Sequence, residues 1–445
     1  MDNRPIGVDL FAGAGGMSLG FEQAGFDIAA AVEIDPIHAA VHHFNFPKTA
    51  VLARSVIGLT GQELRNIAGI GRKTIDVVFG GPPCQGFSLI GQRMLDDSRN
   101  LLVKEFVRLV AELNARTFVF ENVKGLTIGK HRAFLEALIE AFGDFGYRVH
   151  IPWQVLNATN YAVPQDRQRL FLLGAKKGLP VPSYPEHTST TDSDLVGLNG
   201  IKPTPTCFDA LADLPDAEQW DELISSDSVK YRKNGLLSDF SRELRCATEA
   251  AWHFGYVRNW RPNILTSSMR SMHTDISRKR FIATREGEVE PISRFFKLPR
   301  HGVCNTLRAG TDSARGAFTS PRPIHFAYPR CITVREMARL HGYPDWFRFH
   351  ITKWHGARQI GNSVPPPLAR AVAGAIIRTL RVVPKRPSGS IELGNPGLLS
   401  MDMGEAAEYW KVPVPIARRD RKNGLRKRKQ SEIEASTPTA TRRVS

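Results

Sequence analysis

Over the first 180 residues, short apolar runs alternate with longer stretches in which apolar residues recur at helical spacing. The runs near 5–10, 27–32, 49–53, 74–79, 117–121, 147–151 and 169–174 are short and bounded by glycine, proline or polar residues, which predicts strands. Between them, Leu102, Phe106, Leu109, Val110 and Leu113 form one apolar stripe, and Phe134, Leu138, Ile139 and Phe142 another. Both stripes predict amphipathic helices whose apolar faces are core. Strand and helix in regular alternation imply an α/β fold with a doubly wound, mainly parallel sheet. The rhythm stops after Gly174. Residues 178–240 carry clusters of Pro, Ser, Thr and Asp, and regular patterning returns only towards the C-terminus.

Four parts follow from this pattern. Residues 1–180 form the first part of the large domain, 181–355 a smaller irregular domain, and 356–383 a helix returning to the large one. Residues 384–445, rich in Pro, Gly, Ser and Lys/Arg, read as a basic and largely disordered tail.

The first strand runs into a glycine-rich turn and then a helix, PIGVDLFAGAGGMSLG over 5–20. That arrangement brings a nucleotide-like ligand against bare backbone, although many such turns only let a helix pack closely on a strand. The second strand ends in Glu33-Ile34-Asp35, and a carboxylate at its tip can accept from ribose hydroxyls. An adenosine-type cofactor fits both features, and NAD and S-adenosylmethionine remain alternatives at this point.

Chemistry enters with GGPPCQGFS. Pro82 and Pro83 lock the backbone and glycines on both sides strip it of side chains, so Cys84 sits in a rigid loop just after a strand. A free cysteine usually behaves as a small buried hydrophobe. A core thiol, however, needs no rigid, side-chain-free surround, so the pattern favours a nucleophile. Further on, Phe118-Val119-Phe120-Glu121-Asn122-Val123 is a strand ending in a carboxylate, Gln165-Asp166-Arg167-Gln168-Arg169 leads into a strand, and Gln359-Ile360-Gly361-Asn362-Ser363 precedes a C-terminal helix.

In this order, over 5–180 and again over about 300–380, these motifs resemble the DNA (cytosine-5) methyltransferases. The resemblance implies a class I S-adenosylmethionine-dependent methyltransferase fold. It also implies methyl transfer from S-adenosylmethionine to C5 of a flipped-out cytosine in double-stranded DNA. Cys84 would add to C6, Glu121 would face N3 and the exocyclic amine, and Arg167 with Arg169 would contact the base, a phosphate and the catalytic carboxylate. For the cofactor, Phe11 would meet the adenine, the backbone of Ala12, Gly13, Ala14, Gly15 and Gly16 the methionine portion, and Glu33 beside Ile34 the ribose. A side chain at Gly15 would then occupy cofactor space. Asn362 and Ser363 would close the pocket. Where the family carries an acidic adenine contact after its third strand, this chain has Ser55 and Val56, so a hydroxyl or backbone carbonyl takes over. The middle domain would read the target sequence, and on its last helix Glu336 and Arg339 can pair at i+3. The role implied is that of a modification enzyme, solitary or beside a restriction endonuclease acting on the same site without a stable complex.

Composition agrees with these readings. The chain has 445 residues and a net charge of +16, as suits a phosphate-lined partner. Eight Lys/Arg against one Asp between 418 and 429 concentrate part of that charge in the tail. Five cysteines show no CxxC pair and no Cys/His metal spacing, which fits a reducing cytosol and no bound metal. No charged-then-apolar leader and no membrane-length apolar run occurs, so a soluble, cytoplasmic monomer is expected. A nicotinamide-dependent oxidoreductase would leave PPCQ, ENV and QxRxR without a role. A silent binding module would not keep Cys84. A tRNA substrate, as in one branch of the family, is the nearer rival, and the long middle region favours DNA.

Overall fold

The computed structural model describes residues 4–83, 100–127, 131–232, 235, 237–311 and 319–414. The first part alternates as its hydrophobic pattern requires. The elements are β1 (Ile6–Leu10), α1 (Gly16–Ala24), β2 (Asp27–Glu33), α2 (Pro36–Asn45), β3 (Ala50–Ala53), α3 (Gly61–Ile67), β4 (Val77–Gly80), α4 (Leu101–Glu112), β5 (Thr117–Val123), α5 (His131–Asp144), β6 (Tyr147–Val149), β7 (Gln154–Asn157) and β8 (Gln168–Lys176). They build one sheet in the order β3-β2-β1-β4-β5-β8-β6, with β7 also paired to β8. The pairs among β1 to β5 are parallel, while β8 runs antiparallel to β5, β6 and β7. Strand β7 was not expected from the sequence, because its four residues carry too little periodicity to stand out.

Successive side chains leave a strand on opposite faces, and here both faces are covered. Val78, Phe118, Phe120, Leu170 and Leu172 join the cluster holding the apolar stripes of α4 and α5. Their neighbours Val77, Phe79, Val119, Phe171 and Leu173 join the opposite cluster with Phe21 of α1 and with Leu368, Val372 and Ile376 of the C-terminal helix Pro366–Thr379. That helix crosses α1 closely enough that a Cβ on Gly20 would come within 2.5 Å of the Ala369 Cβ. Chain order reverses between β1 and β4, which opens a crevice at the carboxyl ends of the strands.

The middle region has short helices and two-stranded pairings around an apolar cluster that also takes in Leu19 and Phe46 of the large domain. Its helix Val334–Leu340 is buried along its whole length. For that reason the expected pairing of Glu336 with Arg339 does not form: a buried charge needs dedicated partners, not a solvated neighbour one turn away. Glu336 closes a capping box with Thr333 and accepts from both terminal nitrogens of Arg330 at 2.9 Å. Arg339 is held by Asp345 at 2.6 Å and Asp213 at 3.0 Å. Burial works against ionising Glu336, yet Arg330 outweighs it and pulls the carboxyl down to about 2.

The sequence expectation fails again after residue 384. Residues 390–392 form a strand parallel to Val257–Asn259, Pro396–Leu399 a short helical turn, and Met403–Trp410 a helix with its own capping box. Polar composition suggested disorder, but Ile391, Leu398, Leu399, Ala406 and Ala407 are buried, and these few apolar positions suffice to dock the segment. Residues 415–445 lie outside the described residues. Among the described residues no helix is long and apolar enough to cross a membrane.

Replacing Arg339 by Met would leave Asp213 and Asp345 without their shared cation, and breaking a buried ion pair costs about 3–5 kcal/mol. Urea denaturation of R339M is expected to show a loss of this order. A loss below about 1 kcal/mol, as for a surface pair, would show that the network contributes little.

Candidate active site

The crevice is a cavity of about 760 Å³, a size suited to a small-molecule ligand. One end is built by the glycine-rich turn. Phe11 leaves β1 with φ 67° and Gly13 follows at 55°. A left-handed aromatic residue is strained, by an amount on the order of 1–3 kcal/mol, and such strain collects at functional sites. Glu33, at the tip of β2, accepts from Gly13 N on Oε2 and from Asp35 N on Oε1, both at 2.8 Å, so it ties the turn to the next corner. Asp35 then caps α2 by accepting from Ile37 N at 3.0 Å and His38 N at 3.2 Å. Burial raises the Glu33 pKa, against the lowering effect of His38.

The three glycines of the turn have different tasks. A Cβ on Gly13 would meet nothing within 4 Å, so that bare backbone faces open space in the cavity. A Cβ on Gly16 would come within 2.6 Å of Tyr343 Oη and 2.7 Å of Val364 O. Gly15 corrects the sequence expectation. A side chain there would strike the Phe46 ring and approach His42 Cδ2 to 3.1 Å, with φ at 102°. Gly15 is therefore needed for packing against α2, and neither it nor the buried Ala14 borders the cavity. Phe11, Ala12, Gly13, Gly16, Glu33, Ile34, Ser55, Val56, Asn362 and Ser363 all do.

At the other end, Gly81, Pro82 and Pro83 face Glu121, Asn122 and Arg169. Asn122 Nδ2 donates to Pro82 O at 3.0 Å and pins the loop. A Cβ on Gly81 would press on Glu121 Oε2, so glycine lets the chain pass over that carboxylate without displacing it. Arg169 Nε lies 3.1 Å from Glu121 Oε1 across the antiparallel β5/β8 pair. Burial raises the Glu121 pKa, opposed by Arg169 and then Arg167. The result is a carboxyl poised to hold or give a proton beside a fixed cation. Cys84 lies outside the described residues, and Pro83, which precedes it in the chain, borders the cavity.

Arg167 also departs from expectation. Its side chain is completely buried and is not part of the cavity wall, donating to Leu307 O at 3.0 Å and to Gly361 O and Ser363 O at 2.8 Å. Arg167 precedes β8 and is overlaid by the returning C-terminal segments. It positions the site and does not line it. Gln165, also buried, accepts from Leu307 N at 3.1 Å and donates to His341 Nδ1 at 2.9 Å. That bond leaves the His341 proton on Nε2, which donates to Ser363 O at 3.2 Å.

Sequence reasoning missed Asp9, His38, Arg54 and Arg358, all on the cavity wall. Asp9 had a readable signal, a carboxylate within an apolar strand directly before the glycine-rich turn. It accepts from Ser18 Oγ at 2.6 Å, and burial together with Glu33 pushes its pKa up to about 8, against the effect of Ser18. Asp9, buried, and Glu33, half-buried, share this cavity and neither is in an ion pair with Lys or Arg among the described residues; a ligand that brings positive charge would favour the ionised form of both.

The sequence profile of C-5 cytosine-specific DNA methylases matches residues 7–378. The chain is 58% identical over 419 residues to the type II methyltransferase M.XorII of Xanthomonas oryzae pv. oryzae, covering 94% of this chain and 95% of that protein. It is 33% identical over 378 residues to the type II methyltransferase M1.HphI of Haemophilus parahaemolyticus, covering 83% and 86%. Among solved structures it is similar to a putative DNA modification methyltransferase encoded within an E. coli prophage. That likeness has 33% identity, a TM-score of 0.66, and coverage of 85% of this chain and 99% of that one. The sheet, the motif order and the full-length likeness agree: the chain belongs to the C-5 cytosine-specific DNA methylase family and is a DNA (cytosine-5-)-methyltransferase.

Proposed function

We propose that the chain transfers the methyl group of S-adenosylmethionine to C5 of a cytosine flipped out of double-stranded DNA, through a covalent Cys84–C6 adduct. The observation that carries this reading is a single cavity with a nucleoside-suited end and a proton-handling end. At the first end Phe11 offers an aromatic face, Gly13 bare backbone, and Glu33 oxygens placed for ribose hydroxyls. Ser55 and Val56 stand where the acidic adenine contact of the family would be. Asp9 and Glu33 suit the positive charge of the methyl donor, which supplies an activated one-carbon group.

At the second end, cytosine C5 is too poor a nucleophile to react unaided. Addition of the Cys84 thiolate at C6 makes C5 an enamine carbon, and Glu121 gives or shares a proton at N3 as charge reaches the ring. C5 then takes the methyl group, the donor leaves as a neutral thioether, the C5 proton passes to a base, and the thiolate is expelled. Arg169 fixes Glu121 and presents a fork to the base carbonyl. A stacked base hides C6, so the cytosine must leave the helix.

Residues 181–355 are the proposed reader of the target sequence. The type II names of the relatives support a modification role, solitary or beside an endonuclease acting on the same site without a stable complex, with this chain a cytoplasmic monomer.

Cys84→Ser keeps size and removes the soft nucleophile. Wild type is expected to form a covalent complex with a 5-fluorocytosine duplex that survives denaturing electrophoresis, and C84S is not, while its DNA binding persists. A trapped serine variant would sink the assignment. Glu33→Ala removes the anchor of Gly13 and the ribose acceptor together. Its affinity for S-adenosylhomocysteine is expected to fall by about tenfold or more, the loss of one to two charge-assisted hydrogen bonds. Unchanged affinity by calorimetry would move the cofactor elsewhere.

A further inference from the structure

Residues 380–414 extend past the stretch matched by the family profile, and they are built onto the outside of the cofactor end of the cavity. Three walls form that end: the glycine-rich turn, the Glu33–Asp35 corner, and the end of helix Lys353–Asn362. The C-terminal segment touches the support of all three. Leu398 and Leu399 share an apolar cluster with Ala14 of the turn and with Ala40, Val41 and Phe44 of α2. Trp410 Nε1 donates to Pro36 O at 3.1 Å, directly after Asp35, and its ring meets the edge of His43. Ile351 N donates to Leu399 O at 2.9 Å and His350 Nε2 donates to Met401 O at 3.0 Å, just before the third wall begins. Gly394 N donates to Phe44 O at 2.9 Å, and Arg4 donates to Lys385 O at 2.7 Å, which fastens the start of the segment to the N-terminus.

We propose that residues 385–414 are a strap that holds these three walls in their binding geometry, with Trp410 as its positioning residue. The inference rests on reading the cavity as the S-adenosylmethionine pocket. No strap residue lines that cavity, so the effect is indirect. A wall that leaves its binding geometry for part of the time weakens the apparent affinity by the fraction lost, and outside support restores that fraction. The strap also pairs with Val257–Asn259 of the middle region, which links the cofactor corner to the proposed sequence reader.

The test is a calorimetric titration of S-adenosylhomocysteine into four proteins: the full chain, chains ending at Val414 and at Pro384, and full-length Trp410→Phe. The chain ending at Val414 is expected to bind like the full chain. The one ending at Pro384 should bind at least tenfold more weakly, and a peptide of residues 385–414 added back should restore binding. Trp410→Phe loses one hydrogen bond and should weaken binding by about threefold. Its unfolding temperature should be unchanged, its KM for S-adenosylmethionine raised, and its kcat at saturation kept. Equal affinity in the Pro384 chain overturns the strap. If that chain does not fold, unchanged affinity in Trp410→Phe overturns it instead. A full chain that binds no S-adenosylhomocysteine overturns the cofactor reading itself, and the strap with it.

Discussion

A fully buried guanidinium, that of Arg167, ties the start of β8 to the C-terminal segments that return to it. Arg167 precedes β8, and its three hydrogen bonds end on carbonyls at 307, 361 and 363. Those carbonyls belong to segments separated from it by 140 to 196 residues, and two of them flank Asn362 on the cavity wall. Burial and the nearby Arg169 disfavour its charge, with Glu121 working the other way. Carbonyl dipoles repay this only if all of them are in place. Without the C-terminal return the buried cation would lose these three acceptors.

The same constraint orders the catalytic end. Two arginines two residues apart, both buried and facing one way, would repel each other. Arg167 turns inward to carbonyls, while Arg169 stays at the cavity and takes Glu121. Glu121 is left between opposing influences, burial raising its pKa and two cations lowering it. Burial favours the protonated carboxyl and the two cations favour the carboxylate, so both forms have support from the surroundings.

The parts of this molecule that depend on periodicity were legible in the sequence. Strand and helix patterns in alternation foretold a doubly wound, mainly parallel sheet, and a strand–glycine turn–helix foretold the Phe11–Gly16 turn. Motif residues gave Glu121, Arg169, Glu33 and Ser363 at the cavity. What stayed hidden depends on partners distant in sequence. No local pattern tells that Gly15 serves Phe46, that Arg339 finds Asp213, or that Arg167 faces carbonyls of a segment 140 residues on. Composition misled at 385–414, where a handful of apolar residues outweigh a polar average because each lands on α2 or beside it.

Arg167 either assembles the site or acts on the substrate, and one substitution tells these apart. Arg167→Lys keeps the charge but cannot fork to three carbonyls. Thermal unfolding of that variant, followed with and without S-adenosylhomocysteine, separates the two roles. Assembly predicts a clearly lower unfolding temperature and a smaller stabilisation by the ligand, because the Gly361–Ser363 wall is no longer tied down. An unfolding temperature and ligand stabilisation equal to wild type, with only kcat reduced, would contradict it and return Arg167 to the substrate.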